Sequence, residues 1–161
     1  MTLVEDYLKK TAEYKNEYGD RLVVLMQVGN FFEVYGLKTP DGEYHGSNIV
    51  EVSKICDLAI ADKKQCIGKD KVMMSGFQPF LCDKYVGKLQ EAGYTIPLIV
   101  QDIPAAGSTR SLKCIYSPGT FFMNHVNVIT NNTSCIWIEK INSSILDKNI
   151  IVIGCANLDI L

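Results

Sequence analysis

The sequence has no C-x-x-C pair, and only two histidines, His45 and His125, stand far from any metal-ligand spacing. Its six cysteines, at 56, 66, 82, 114, 135 and 155, are scattered. Zinc-finger and zinc-ribbon patterns are therefore excluded, and the thiols read as unpaired groups kept in a reducing compartment. There is no excess of positive charge either: 16 Lys and Arg stand against 18 Asp and Glu, a net charge of −2. That balance argues against a self-sufficient module held on nucleic acid by phosphate contacts, so any such role must be local or shared with other parts. No apolar run approaches the length needed to span a bilayer, and Met1-Thr2-Leu3-Val4-Glu5-Asp6 has no basic region followed by an apolar core; a soluble, intracellular chain without membrane contact is expected. The sequons starting at Asn131, Asn132 and Asn142 would matter only in a secreted chain. Internal repeats, low-complexity tracts and a phosphate-cradling G-x-x-x-x-G-K-[ST] loop are all missing.

What is present is a chain of 161 residues, 47% of them apolar, long enough for one real core plus a fragment. Thr2 followed by Glu5 is a capping box, and Leu3, Tyr7, Leu8 and Ala12 keep helical spacing, so a helix is predicted over 3–18 with Gly19 as its stop. Arg21 to Val28 and Phe31 to Tyr35 read as strands joined by the two-residue signal Gly29-Asn30. Residues 38–48 carry loop chemistry resembling an insertion, and Ile49, Val52, Ile55 and Cys56 mark one face of a second helix. Leu58 to Ala61 and Val72 to Ser75 read as short strands around a lysine-rich turn. Pro79 opens a helix with the face Leu81, Tyr85 and Leu89, ending at Gly93. Tyr94 to Gln101 is a strand in which Pro97 predicts an edge or a bulge, Asp102 to Arg110 a loop, Ser111 to Tyr116 a strand, and 117–120 a turn. Ser134 to Ile141 and Asn149 to Leu158 form a predicted hairpin. The expected architecture is α/β (α+β): a mixed β-sheet flanked by helices over 1–121, a linker over 122–133, and the opening of an incomplete second domain over 134–161.

The informative local feature is Phe31-Phe32-Glu33-Val34. In a strand Phe31 and Glu33 share one face and Phe32 and Val34 the other, so one core cannot bury both phenylalanines. The expected division packs Phe32 and Val34 inward and leaves Phe31 and Glu33 projecting together beside the Gly29-Asn30 tip. A flat ring there can stack on a base, an interaction tolerant of base identity and worth roughly 1–3 kcal/mol. The neighbouring carboxylate can hydrogen-bond a base edge while repelling phosphates, a combination that favours sites where a base is already loosely held. The plainer readings are a core aromatic and a solvated acid. Lys63, Lys64, Lys69 and Lys71 form the densest basic stretch and are candidates for phosphate contacts, with solvated turn lysines as the alternative. Met74, with Met73, could adapt to a groove or fill the core.

The run Leu25-Met26-Gln27-Val28-Gly29-Asn30-Phe31-Phe32-Glu33-Val34-Tyr35 resembles the start of the MutS family of DNA mismatch-repair proteins, where a strand, a G-D turn and an F-Y-E triplet stand in these places. Met74-Ser75-Gly76 to Tyr85, Lys88-Leu89 and Gly93-Tyr94 are similar to its M-A-G, Y-L-x-K-L and G-Y segment. Gln101-Asp102 resembles its E-Q-x-x-D, and Ser117-Pro118-Gly119-Thr120 its T-P-G-T. The resemblance implies that Phe31 stacks on a mispaired base from the minor groove of a kinked duplex and that Glu33 hydrogen-bonds it. It also implies that 134–161 begin the connector domain, and that double-stranded DNA with a mismatch or small loop and a second MutS-type subunit are the partners. ATP and Mg are implied only for an ATPase domain outside this chain, which itself should be neither an ATPase nor another enzyme. Asn30 for Asp, Phe32 for Tyr, the 38–48 insertion and Pro97 depart from the pattern and suggest a divergent branch. Two rivals stand beside this expectation. One is a truncated relative acting through protein contacts without mismatch preference; the other is an enzyme built on a cysteine such as Cys66 or Cys82 or on a carboxylate, for which no motif speaks.

Overall fold

Helix α1 (Leu3–Tyr18) begins at the predicted capping box: the Thr2 hydroxyl accepts from the Glu5 N–H and the Glu5 carboxylate accepts from the Thr2 N–H at 2.7 Å. Gly19, at φ 87°, ends it. The computed structural model describes residues 2–102, 109–118, 132–143 and 148–159. After α1 come β1 (Leu25–Val28), β2 (Phe31–Lys38), β3 (Tyr44–His45), α2 (Ile49–Cys56), β4 (Ala61–Ile67) and β5 (Asp70–Phe77). A single turn over Pro79–Leu81 leads into α3 (Cys82–Glu91), followed by β6 (Ile96–Gln101), β7 (Arg110–Tyr116), β8 (Asn132–Ser143) and β9 (Lys148–Asp159). The chain divides into two compact units, Met1–Phe121 and Phe122–Leu161.

In the first unit the strand order is β4-β5-β2-β1-β6-β7, with β3 added beside β2. The sheet is mixed: β1 runs parallel to β6, and every other pairing among its strands is antiparallel. Strand alternation divides β2 between two layers of helix. On one face Tyr35 meets Tyr7 of α1 edge to face, ring centroids 5.2 Å apart, and the Tyr7 hydroxyl donates to the Val24 carbonyl at 3.0 Å. On the other face Gly36 admits α2 so closely that a Cβ there would stand 2.6 Å from the Ile49 side chain, and Phe77 of β5 packs against Tyr85 of α3 with the rings tilted and their centroids 4.6 Å apart. Burial on both faces explains why β1 and β2 read as near-continuous apolar runs. The fold is α+β, a mixed sheet between α1 and the pair α2 and α3.

Several boundaries differ from the sequence reading, for identifiable reasons. The expected strand over Arg21–Val28 forms ladder pairs only from Leu25; Leu22 to Val24 are buried and extended, with a lone bridge from Leu22 to Thr95. The 38–48 loop holds a short strand, since Tyr44 and His45 pair with Lys38 and Leu37. The lysine-rich turn expected between Leu58–Ala61 and Val72–Ser75 is largely strand: Lys63 and Lys64 lie in β4, and the turn is confined to Gly68 and Lys69. β4 is an edge strand exposed at most positions, so it lacks the apolar alternation by which a strand is recognised. Pro97 is accommodated beside a register shift at Leu98 and Ile99, but within β6, which lies between β1 and β7 rather than at an edge. The predicted loop across 103–108, the end of the 117–120 turn and nearly all of the 122–133 linker fall outside the described residues.

The second unit is an antiparallel hairpin pairing Asn132 with Asp159 through to Ser143 with Lys148. Ile136, Trp137, Ile138, Ile151 and Ile153 are exposed on it.

Candidate nucleic-acid interface

The β1–β2 connection is a two-residue hairpin in which Val28 pairs with Phe31 and Met26 with Glu33. Gly29 has φ 59° and Asn30 does not share that left-handed conformation, the pattern of a glycine-first type II′ turn whose twist suits a hairpin. The tip is tied to the adjacent strands. The Gly29 N–H donates to Gln101 Oε1 at 2.9 Å, the Gln101 N–H to Gln27 Oε1 at 3.2 Å, and Arg110 Nε to the Gln27 carbonyl at 2.7 Å. Gln27 Nε2 in turn donates to the Gly29 carbonyl at 3.3 Å. A projecting turn held this way loses little further freedom when it docks on a partner.

From this turn Phe31 emerges 44% exposed, whereas Phe32 is 6% exposed against Phe77, ring centroids 6.0 Å apart. Val34 is buried as well, so the adjacent phenylalanines divide between solvent and core as alternation requires. Glu33 does not stand in solvent beside Phe31. It is only 8% exposed, which corrects the expectation of two side chains projecting together. The reason is a specific pair of partners: Glu33 Oε2 accepts a hydrogen bond from the Tyr35 hydroxyl and a charged one from Lys63 Nζ at 2.8 Å. Lys63 Nζ also donates to the Tyr35 hydroxyl at 3.1 Å, lies 4.9 Å from the Tyr35 ring centre and approaches Met74 Sδ at 3.6 Å. A carboxylate removed from water needs such compensation, because an unpaired buried charge is strongly disfavoured. Burial first, and the adjoining Glu33 second, push the Tyr35 phenol well above its ordinary pKa, so it stays protonated and keeps donating.

Two backbone features make the cluster possible. In the β2–β5 register Gly76 lies directly across from Glu33, leaving room for its side chain. In β4 the pairing with β5 shifts between Asp62 and Cys66, Lys64 adopts φ 56°, and its N–H is held by Asp62 Oδ1 at 2.7 Å. A bulge of this kind re-aims a side chain, here Lys63 toward Glu33.

Of the residues singled out from sequence, Gly29, Asn30, Phe31, Glu33, Lys63 and Met74 are brought into one neighbourhood, and Lys64 lies exposed beside Lys63. Lys69 and Lys71 are not. Lys71 pairs with Lys38 at the far end of β2, roughly 23 Å from Phe31 at a strand rise of about 3.3 Å per residue, and it forms an ion pair with Asp62 at 3.7 Å. Both line an open depression of about 450 Å³ with Lys38, Thr39, Asp41 and Asp62. The sequence reading gave no site role to Tyr35, Gly76 and Gln27, which entered only as parts of motifs, or to Arg110, which marked a loop boundary, and it did not name Phe80. Alternation could have signalled Tyr35, two residues from Glu33. Phe80, 77% exposed, leaves the sheet after Phe77 at the Phe31 end. Gln101 was noted only as part of a motif; its contact with Gly29 spans 72 positions and has no local signal.

The arrangement displays a side chain on a braced turn, which defines a binding module. Among the described residues no three His, Cys, Asp or Glu side chains gather as they would around a metal ion, and the chain offers no phosphate loop that would fit ATP and magnesium. The sequence matches the family MutS domain I over residues 6–125, so the chain belongs to the MutS family of DNA-binding mismatch-repair proteins. Two relatives agree. A mimivirus protein, named as a homologue of the DNA mismatch-repair protein MutS in Acanthamoeba polyphaga mimivirus, is 25% identical over 99% of this chain and 14% of its own length. The DNA mismatch repair protein MutS of Synechococcus sp. is 26% identical over 70% of this chain and 12% of its own. The chain thus spans about one-seventh or less of the length of these relatives. Among the described residues no helix is long and apolar enough to cross a membrane.

Proposed function

We propose that residues 1–121 read mismatches: Phe31 stacks on a loosely held base from the minor-groove side of a kinked duplex, and Glu33 accepts a hydrogen bond from that base. The observation that carries this reading is the exposed Phe31 ring on a turn braced by Gln27, Gln101 and Arg110, beside a buried Phe32. Stacking supplies roughly 1–3 kcal/mol, while opening a sound base step costs a few kcal/mol, so the ring gains most where pairing is already broken. Smooth bending of the duplex adds about 1–6 kcal/mol, less at a defect. Lys64 is the candidate for a phosphate near the tip, and Lys69 and Lys71 for phosphates of a duplex arm running along the sheet. In this reading the β8–β9 hairpin opens a connector domain, and the chain serves a larger, intracellular, DNA-associated clamp with a second MutS-type subunit and an ATPase domain beyond these residues.

A nuclear magnetic resonance titration of the 161-residue chain tests the reading, because it detects weak binding. A duplex with one G·T mismatch should perturb Gly29 to Glu33 more strongly than its matched counterpart, and Phe31→Ala should erase the difference. Equal responses to the two duplexes, or perturbations confined to other surfaces, would sink the proposal.

A further inference from the structure

Lys63 is placed by an irregular stretch of backbone. It sits in a bulged edge strand, one position before a non-glycine residue at φ 56°, and reaches across β5 to a carboxylate on β2. Such conformations persist where surrounding structure holds them and cluster at functional sites. Both hydrogen bonds that described residues make to Glu33 fall on one oxygen: Oε2 receives Tyr35 and Lys63, and neither reaches Oε1. The carboxylate is therefore fixed in orientation, matched by a cation at 2.8 Å, and, among the described residues, left with Oε1 as an acceptor to which no hydrogen bond is made.

We infer that Lys63 and Tyr35 are positioning residues for Glu33: they hold Oε2, cancel the local negative charge, and keep Oε1 as the acceptor offered to a base beside Phe31. This deepens the proposed function and rests on it. Two consequences separate it from a role for Lys63 as an ordinary phosphate contact. A lysine bound to phosphate strengthens binding to every duplex alike, so its loss leaves the preference for mismatched over matched DNA unchanged. A lysine acting through Glu33 alters that preference, and does so only while Glu33 is present. Tyr35 carries no charge, so its hydroxyl affects orientation without changing the field felt by phosphates.

The experiment is a double-mutant cycle, with the mismatched-to-matched affinity ratio of the 161-residue chain measured on G·T and matched duplexes at fixed salt. Lys63→Met should lower the ratio about fivefold or more in the presence of Glu33, and change it by less than about twofold in a Glu33→Gln background. Lys63→Arg should recover most of the loss, and Tyr35→Phe should lower the ratio in the same direction as Lys63→Met. An unchanged ratio in Lys63→Met, with both affinities reduced together and the salt slope smaller by about one, would overturn the inference and make Lys63 a phosphate contact. Equal losses of ratio with and without Glu33 would overturn it too. Should Lys63→Met fail to give a cooperative thermal transition, Lys63→Arg and Tyr35→Phe decide: Tyr35→Phe at the parental ratio rejects the positioning unit. A parental ratio of one would remove this inference together with the reading beneath it, whereas a clear parental preference insensitive to Lys63 and Tyr35 removes the inference alone.

Discussion

Gly76 lies directly opposite Glu33 in the β2–β5 ladder, and a Cβ built on it would stand 2.8 Å from the Phe32 carbonyl oxygen and 3.3 Å from Glu33 Cγ. The nearest obstacle is backbone, which cannot swing aside as a side chain could. Gly76→Ala should therefore destabilise the domain by about 1–3 kcal/mol, the usual cost of forcing an extra methyl into a packed site. Urea unfolding measures it, and a variant within about 0.5 kcal/mol of the parent would show that the strands part easily.

The two neighbouring phenylalanines should behave oppositely. Phe31, exposed at the turn, contributes little to folding, so Phe31→Ala should shift stability by no more than about 0.5 kcal/mol. Phe32→Ala, which empties the space against Phe77, should cost about 3–5 kcal/mol. Comparable losses in the two variants, read from the same denaturation curves, would contradict the division between display and core.

Gln101 ties the tip to β6. Gln101→Ala removes the acceptor for the Gly29 N–H, a loss of about 0.5–1.5 kcal/mol, and should raise fast backbone motion at Gly29 and Asn30. Nitrogen-15 order parameters at those residues report it directly; values equal to the parent's would mean that the turn holds its shape unaided.

Thiol chemistry should separate the cysteines of the first unit. Cys66 is exposed on β4, whereas burial pushes Cys56 and Cys82 up to about 11, leaving both as unreactive thiols near neutral pH. Brief maleimide labelling at pH 7.5 followed by peptide mapping should find Cys66 modified well ahead of Cys56 and Cys82; labelling of Cys56 at the same rate would refute its burial.

Stability should also fall in alkali. Burial and the Glu51 carboxylate push Tyr94 up to about 12, burial raises Tyr7 and Tyr35, and Cys56 and Cys82 sit at about 11. The folded state thus holds protons that the unfolded chain releases from about pH 9 for cysteine and 10 for tyrosine. These groups give their full contribution below pH 9 and lose it as pH climbs through 11 and 12. Melting temperatures recorded from pH 8 to 11 should decline steadily above pH 9, and a flat profile would contradict the burial of these groups.

Much of this architecture was legible from local patterns. The capping box at Thr2 and Glu5, the Gly29-Asn30 turn and the outward Phe31 are all matters of neighbours within a few positions, where backbone sterics and alternation leave few choices. Strand β4 escaped because an exposed edge has no need for apolar alternation, and the lysines that protect it look like turn residues. Pro97, whose missing N–H predicts an edge or a bulge, meets the second of these: β6 lies inside the sheet, and the register shifts at Leu98 and Ile99 beside the proline.

The chain's own order of residues determined that an aromatic ring would stand beside a glycine turn with a carboxylate two places on, because period-two alternation is a property of any extended backbone. Whether that carboxylate lies open or is held was decided by the sheet, which brings Lys63 from a bulged strand thirty positions away and clears space for the side chain at Gly76. The orientation of a buried acid depends on what surrounds it in space, and no spacing along a chain encodes which distant cation will arrive.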